Sequence, residues 1–93
     1  MTFLWDESKN RKNILKHGID FKDAVEIFRH PMLTNIDCRF DYGEERWVGI
    51  GFMKGIFTVI VFLENNERDE IKIISVRKAT KNESQKFKER LGY

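Results

Sequence analysis

The stretch RWVGIGFMKGIFTVIVFLE, Arg46–Glu64, decides the fold. Its two halves are separated only by Lys54-Gly55, which is short enough for a tight turn between antiparallel strands over Arg46–Met53 and Ile56–Glu64. In the second strand both alternating sets of side chains are apolar: Ile56, Ile60 and Phe62 on one face, and Phe57, Val59, Val61 and Leu63 on the other. This pattern is typical of a central strand that is covered on both sides.

The residues before this hairpin predict a short strand and two helices. Thr2–Trp5 has the pattern of a strand, and Asp6 can cap a helix that runs to about His17. Gly18 then ends this helix, which has little apolar face and is expected on the surface. A second helix runs from a cap at Asp20 to Pro31, with apolar residues at i, i+3, i+4 and i+7: Phe21, Ala24, Val25 and Phe28. The two helices form an αα-hairpin.

The remaining segments complete an α+β domain. Met32–Cys38 and Ile71–Ala79 are predicted as strands on either side of the hairpin. Thr80 and Glu83 form a T-x-x-E capping box for a final helix that ends near Gly92. The order is therefore β-αα-β-β-β-β-α, and the sheet is predicted to be a largely antiparallel meander.

Length and composition limit the possible classes of protein. The 93 residues allow a single domain, residues 1–93, and a chain that is 41% hydrophobic and 34% charged is not a disordered tail. The longest nearly continuous apolar run is Ile56–Leu63, far shorter than the roughly 20 residues of a membrane helix. The single cysteine, Cys38, excludes an intramolecular disulfide and suits a reducing compartment. We therefore expect a cytoplasmic protein.

Charge is distributed unevenly along the chain. Residues 71–93 contain seven basic and two acidic residues, a net charge of +5, whereas residues 1–70 contain ten basic and thirteen acidic residues, a net charge of −3. A basic C-terminal quarter is a plausible binding surface for a polyanion. The alternative is a solvated, lysine-rich terminal helix.

No residue pattern indicates a metal or a nucleotide cofactor. Cys38, His17 and His30 lack the spacing of metal ligands, and the chain contains no glycine-rich phosphate-binding motif. Cys38 is expected as a small buried residue at a strand end, His17 as a helix cap and His30 as a solvated loop residue. We expect no cofactor.

Arginine on the predicted sheet is the most informative chemical feature. Arg77 and Lys78 interrupt the apolar run near the end of the last strand, and Arg46 opens the strand before Trp47. Arginine suits a phosphodiester because its planar fork makes two charge-assisted contacts. Since adjacent strand residues point to opposite faces, only one of Arg77 and Lys78 can share a face with Arg46. The alternative role for both arginines is in surface ion pairs with Glu44, Glu45 or Glu64.

Three blocks of the sequence resemble the BrnT family of type II toxins: FLWDESKNRKNILKHGIDFKDAVEIF, GEERWVGIG and IKIISVRKATKNE, at Phe3–Phe28, Gly43–Gly51 and Ile71–Glu83. The resemblance implies a RelE-like α+β toxin that cleaves RNA and arrests growth. It also implies neutralisation by a small DNA-binding antitoxin, BrnA, in a 2:2 complex that represses its own promoter. Operator DNA would then be contacted only through the antitoxin.

The resemblance also implies the site residues. Arg77 is the first candidate for stabilising phosphate and Arg46 the second, while Lys78 and Lys81 would contact the RNA backbone. His17 and Glu83 are candidates for a general base, but helix capping explains both, so the base is left unassigned. The family often has Tyr-Thr where this chain has Phe62-Leu63, and Arg-Arg where it has Arg77-Lys78. The second difference keeps the charge but loses one bidentate fork.

Two other functions fit the same residues. A non-catalytic nucleic-acid-binding module would use the basic end of the sheet and stack bases on Trp47 and Phe40. A degenerate toxin would act only as the repressor partner of its antitoxin. Cleavage of RNA distinguishes the toxin from both.

Overall fold

The computed structural model describes residues 1–37 and 43–92. The expectations for Cys38 and Phe40 fall outside these residues. The elements are, in chain order, β1 (Thr2–Trp5), α1 (Glu7–His17), α2 (Phe21–Ala24), a 3₁₀ helix (Val25–Arg29), β2 (Leu33–Ile36), β3 (Trp47–Met53), β4 (Ile56–Asn65), β5 (Glu70–Lys78) and α3 (Lys81–Leu91). The predicted α+β class and order of elements are confirmed.

The second helix differs from the single α-helix predicted between Asp20 and Pro31. It is α-helical only over Phe21–Ala24 and then narrows to a 3₁₀ helix. The fully buried residues of this segment are Phe21, Ala24 and Ile27, at a spacing of three, whereas Val25 and Phe28 are only partly buried. A period of three residues per turn explains this spacing. Val25 and Ile27 are also β-branched, and such residues have a low propensity for the α-helix.

The sheet has the order β1-β5-β4-β3-β2. Strands β2 to β5 form the predicted antiparallel meander, and β4 is the central strand. β1 pairs in parallel with β5, with Trp5 opposite Ile73. A parallel pair needs a long connection, and most of the chain lies between these two strands.

The two faces of the sheet are covered by different helices. The core face carries Ile60 and Phe62, and it packs against α2 and the 3₁₀ helix. The opposite face, here called the α3 face, carries Phe57, whose ring lies 5.1 Å from that of Phe87 in α3. Phe87 is 1% exposed, and burial of such a side chain contributes about 1.5–3 kcal/mol. β4 is thus buried from both sides, as its sequence predicts.

Helix α1 is held to the sheet by asparagine side chains. Asn10 and Asn13 are its only buried residues, and they lie one turn apart. Asn13 Oδ1 accepts a hydrogen bond of 3.1 Å from Val76 N of β5, and its Nδ2 donates one of 2.9 Å to Ile19 O. Asn10 Oδ1 accepts a hydrogen bond of 2.9 Å from Phe21 N at the start of α2. Because these buried backbone groups need partners, polar contacts replace an apolar stripe on this helix.

Two glycines of β3 allow the segment before β2 to approach the sheet. A Cβ at Gly51 would lie 2.6 Å from Ile27 Cγ2, and a Cβ at Gly49 would lie 2.6 Å from Met32 Sδ. Ile27 is fully buried and rigid at its branched Cβ, whereas the end of a methionine side chain can move. The structure therefore tolerates a side chain at position 51 less than at position 49.

We predict that Gly51→Ala lowers the free energy of unfolding by about 1–3 kcal/mol, because it overpacks the contact with Ile27. Urea denaturation measures the change, with Gly49→Ala as the matched control, which should cost less. Adding Ile27→Leu, which removes the clashing Cγ2, should recover part of the loss in a double-mutant cycle. Additive effects of the two substitutions would contradict this close contact.

Candidate functional site

Arg77 lies near the end of β5 and is held by an ion pair with Glu83 of α3. Its Nη1 and Nη2 donate to Glu83 Oε1 and Oε2, both at 2.8 Å, and Nη1 also donates to Lys78 O at 3.2 Å. The side chains of Arg77 and Glu83 are 39% and 28% exposed. The partner differs from the glutamates expected for a surface pair. This bidentate geometry fixes the plane of the guanidinium.

Glu83 also belongs to the capping box at the start of α3, as the sequence predicts. Its Oε1 accepts a hydrogen bond of 2.8 Å from Thr80 N, and Thr80 Oγ1 accepts a hydrogen bond of 3.2 Å from Glu83 N. The hydrogen bonds from Arg77, followed by that from Thr80 N, lower the pKa of Glu83 from 4.5 to about 2, although partial burial opposes the shift. A carboxylate with so low a pKa is a weak base. Glu83 is therefore a poor candidate for the general base.

Arg46 lies just before β3 and pairs with Glu44. Its Nη2 and Nε donate to Glu44 Oε1 at 3.2 and 3.3 Å, which is one of the surface pairs considered from the sequence. Extending the β3–β4 register by one residue puts Arg46 opposite Leu63, whereas Arg77 lies opposite Val59. Both arginines thus project from the α3 face, but four residues of β4, or about 13 Å, separate them. The structure does not bring them to one phosphate.

The two arginines also differ in their electrostatic surroundings. Beside Glu44 lies a groove of about 560 Å³ whose charged lining residues are five glutamates and one lysine: Glu44, Glu45, Glu64, Glu67, Glu70 and Lys72. Arg46 therefore lies at the acidic end of the sheet. Arg77 lies at the opposite end, beside the basic residues of β5 and α3. A polyanion is attracted to the second end and repelled from the first.

Lys78 and Lys81 lie on either side of the link between β5 and α3. Lys78 ends β5 opposite Thr58, and Lys81 is the first residue of α3. Both side chains are exposed, and neither forms an ion pair within residues 1–37 and 43–92. The N-terminus of a helix is already electropositive, so Lys81 adds to a positive field at this point. Arg77, Lys78 and Lys81 are thus brought to one end of the sheet, although Lys78, opposite the buried Thr58, lies on the core face and Arg77 on the α3 face.

A groove on the α3 face adjoins the Arg77–Glu83 pair, and no motif in the sequence indicates it. It has a volume of about 600 Å³ and an apolar floor formed by Leu33, Val48, Ile50 and Val59. Its wall is the charged side of α3: Glu83, Lys86, Glu89 and Arg90. Residues from four separate elements line it, so no local sequence pattern could predict it.

Within residues 1–37 and 43–92, no three His, Cys, Asp or Glu side chains are grouped so that they could hold a metal ion. In the same residues, no helix has the length and apolar character needed to cross a membrane.

The fold and the site define a small α+β protein with a basic end at the junction of β5 and α3. Residues 5–83 match a family model described as "Ribonuclease toxin, BrnT, of type II toxin-antitoxin system". The chain therefore belongs to the BrnT family, and the resemblance noted in the sequence is confirmed. A search of curated proteins gives no significant match. Membership identifies the chain as a ribonuclease toxin of a type II toxin–antitoxin system, which implies an antitoxin partner.

We predict that the Arg77–Glu83 pair makes stability depend on pH between about 4.5 and about 2. The pKa of Glu83 is lower in the folded state, so its contribution is complete above pH 4.5 and is lost as pH falls towards 2. Glu83→Gln keeps the oxygen that accepts from Thr80 N but removes the charge. Urea denaturation at several pH values should therefore show a flatter pH dependence for Glu83→Gln than for the wild type. Glu89→Gln, on the same helix, is the control, and equal slopes for wild type and Glu83→Gln would refute the coupling.

Proposed function

We propose that this protein is a metal-independent endoribonuclease toxin of the cytoplasm, which cuts RNA and thereby inhibits translation and growth. The observation that carries the proposal is the family match over residues 5–83, which includes Arg77, Lys78 and Lys81. The grouping of these three residues at one end of the sheet supports an RNA-binding role for them.

The proposed reaction is attack of a ribose 2′-OH on the neighbouring phosphorus, with departure of the 5′-oxygen of the next nucleotide. The 2′-OH loses a proton and the leaving oxygen gains one, while negative charge accumulates on the phosphate oxygens. Fixed positive groups lower the barrier by stabilising that charge. A metal ion is one source of such charge, and arginine and lysine side chains are another.

Arg77 is the proposed group that stabilises the phosphate in the transition state. Its ion pair with Glu83 holds the guanidinium in place before RNA binds, so little reorganisation is needed at the moment of reaction. Glu83 offsets part of the positive charge of Arg77, and Lys78 and Lys81 restore a positive field around it. Arg46 lies about 13 Å away along the strands and on the other side of β4, so it would contact a different phosphate, and the glutamates around it would oppose that contact.

Attack by the 2′-OH requires a general base that accepts its proton. The low pKa of Glu83 argues against it as the base, which leaves His17 as the remaining candidate from the sequence. His17 is exposed in the last turn of α1. One turn earlier in the same helix, Asn13 contacts Val76, the residue before Arg77.

The proposed antitoxin is a BrnA-like protein with a DNA-binding domain, which forms a 2:2 complex with the toxin. The family description supports an antitoxin as a partner of this chain. In the proposal the complex represses its operator through the antitoxin, and the toxin itself does not contact the DNA.

We predict that the purified protein cleaves single-stranded RNA in the presence of EDTA and that Arg77→Lys reduces the rate by roughly 10²–10³. Lysine keeps the charge but cannot make the bidentate contact, so geometry rather than charge is tested. Lys78→Arg should keep or raise the rate, and Arg68→Lys, at an exposed position between β4 and β5, is the control.

Cleavage that EDTA abolishes and Mg²⁺ restores would refute metal independence. Full activity of Arg77→Lys would remove Arg77 from the site, and RNA binding without any cleavage would favour the non-catalytic module.

We also predict that induction of the protein in a bacterium arrests growth and that co-expression of its BrnA-like antitoxin restores growth. Optical density and total RNA after induction measure both effects, with Arg77→Lys at equal expression as the inactive control. Normal growth at confirmed expression of folded protein would favour the degenerate toxin.

A further inference from the structure

Helix α1 runs beside the end of β5 that carries Arg77. β1 pairs with β5 up to Trp5 and Ile73, and Asn13 then contacts Val76. From Asp6 to Asn13 a helix rises about 10 Å. From Ile73 to Val76 β5 spans three residues, but a β-bulge lies in this stretch and β4 advances by only two, so the advance is roughly 7–10 Å. α1 therefore continues in the direction of β1, alongside β5, and its last turn reaches the level of Lys78.

The lysines of α1 lie on one flank of the helix. At 100° per residue, Lys9, Lys12 and Lys16 fall within about 60° of each other. This lysine flank (Lys9, Lys12 and Lys16) lies roughly 100° to one side of the buried asparagines, and Glu7 lies roughly 90° to the other side.

Glu7 shows which flank faces which side of the sheet. Its Oε2 accepts a hydrogen bond of 3.2 Å from Trp5 Nε1. Trp5 packs edge-on against Phe21 in the core, so it lies on the core face. The flank with Glu7 is therefore turned towards the core face. The lysine flank is turned towards the α3 face, from which Arg77 projects.

Within the described residues, the charges of the lysine flank have no ion-pair partner. All three side chains are exposed, and none forms an ion pair in residues 1–37 and 43–92. Like charges three and four residues apart on a helix repel one another and destabilise it. A ligand that supplies negative charge at regular intervals would relieve this repulsion.

We propose that the lysine flank is a second part of the RNA-binding surface, where it contacts phosphates next to the one held at Arg77. The proposal rests on the proposed ribonuclease function and extends its site to α1. The sequence alone does not indicate this role, because α1 is distant in the chain from the basic C-terminal segment. The contact between Asn13 and Val76 is what places α1 beside Arg77.

The test is the salt dependence of binding to a single-stranded RNA of about 12 nucleotides with 2′-O-methyl riboses, which cannot be cleaved by 2′-OH attack. Each phosphate contact contributes about −0.7 to the slope of log affinity against log salt. Lys12→Gln and Lys16→Gln should each make the slope shallower by about 0.7. The loss of affinity between about 50 and 200 mM salt should then be about 2.6-fold smaller than for the wild type.

Arg11→Gln is the matched control. Arg11 is exposed on the same helix, and its substitution by glutamine removes the same charge as the lysine substitutions. Its side chain, however, points roughly 130° away from the centre of the lysine flank. It should leave the slope unchanged. All three substitutions are at exposed positions, so thermal unfolding should confirm that each variant is folded.

Equal slopes for wild type, Lys12→Gln and Lys16→Gln would refute the lysine flank, as would an equal effect of Arg11→Gln. If wild-type cleavage persists in that case, the ribonuclease function stands and only the extension to α1 fails. If the wild-type protein neither binds nor cleaves RNA, both proposals fail together.

Discussion

The buried side chain of Asn13 determines how the helices sit on the sheet. Its single amide joins three parts of the chain, because it accepts from Val76 N of β5 and donates to Ile19 O before α2. β1 ends opposite Ile73, so among residues 1–37 and 43–92 no strand pairs with β5 on this edge at Val76. A buried N–H without a partner would cost about 1–3 kcal/mol. The same hydrogen bond that satisfies Val76 therefore positions α1 beside Arg77.

The ion pair between Arg77 and Glu83 links stability to the candidate site. Glu83 caps α3 and orients the guanidinium with the same carboxylate. An exposed ion pair of this kind contributes about 0–1 kcal/mol, so its main consequence is geometric. A fixed guanidinium plane suits a group that must meet a phosphate in one orientation. The pairing also reduces the local positive charge, which makes the lysines around it important for attracting RNA.

Local sequence patterns determined the elements and their order. The alternation of apolar residues in Ile56–Asn65 identifies a strand covered on both sides, because side chains of a strand alternate between faces. Asp6, Asp20 and Thr80 mark helix starts because their side chains bond to nearby backbone N–H groups. The family motifs also identified the class of protein, and charge counting indicated a basic C-terminal segment. All of these signals depend on residues close together in the chain.

Tertiary structure decided which of these residues meet. Sequence did not predict the parallel pairing of β1 with β5, which joins opposite ends of the chain. The sequence predicted that Arg46 and Arg77 belong to strands, but it did not predict the distance between them. That distance depends on the register across β4. The 3₁₀ segment after Ala24 and the contact between Asn13 and Val76 likewise depend on packing between distant elements. Local pattern fixes which face of an element is buried, but only the packing of the whole chain determines what that face meets.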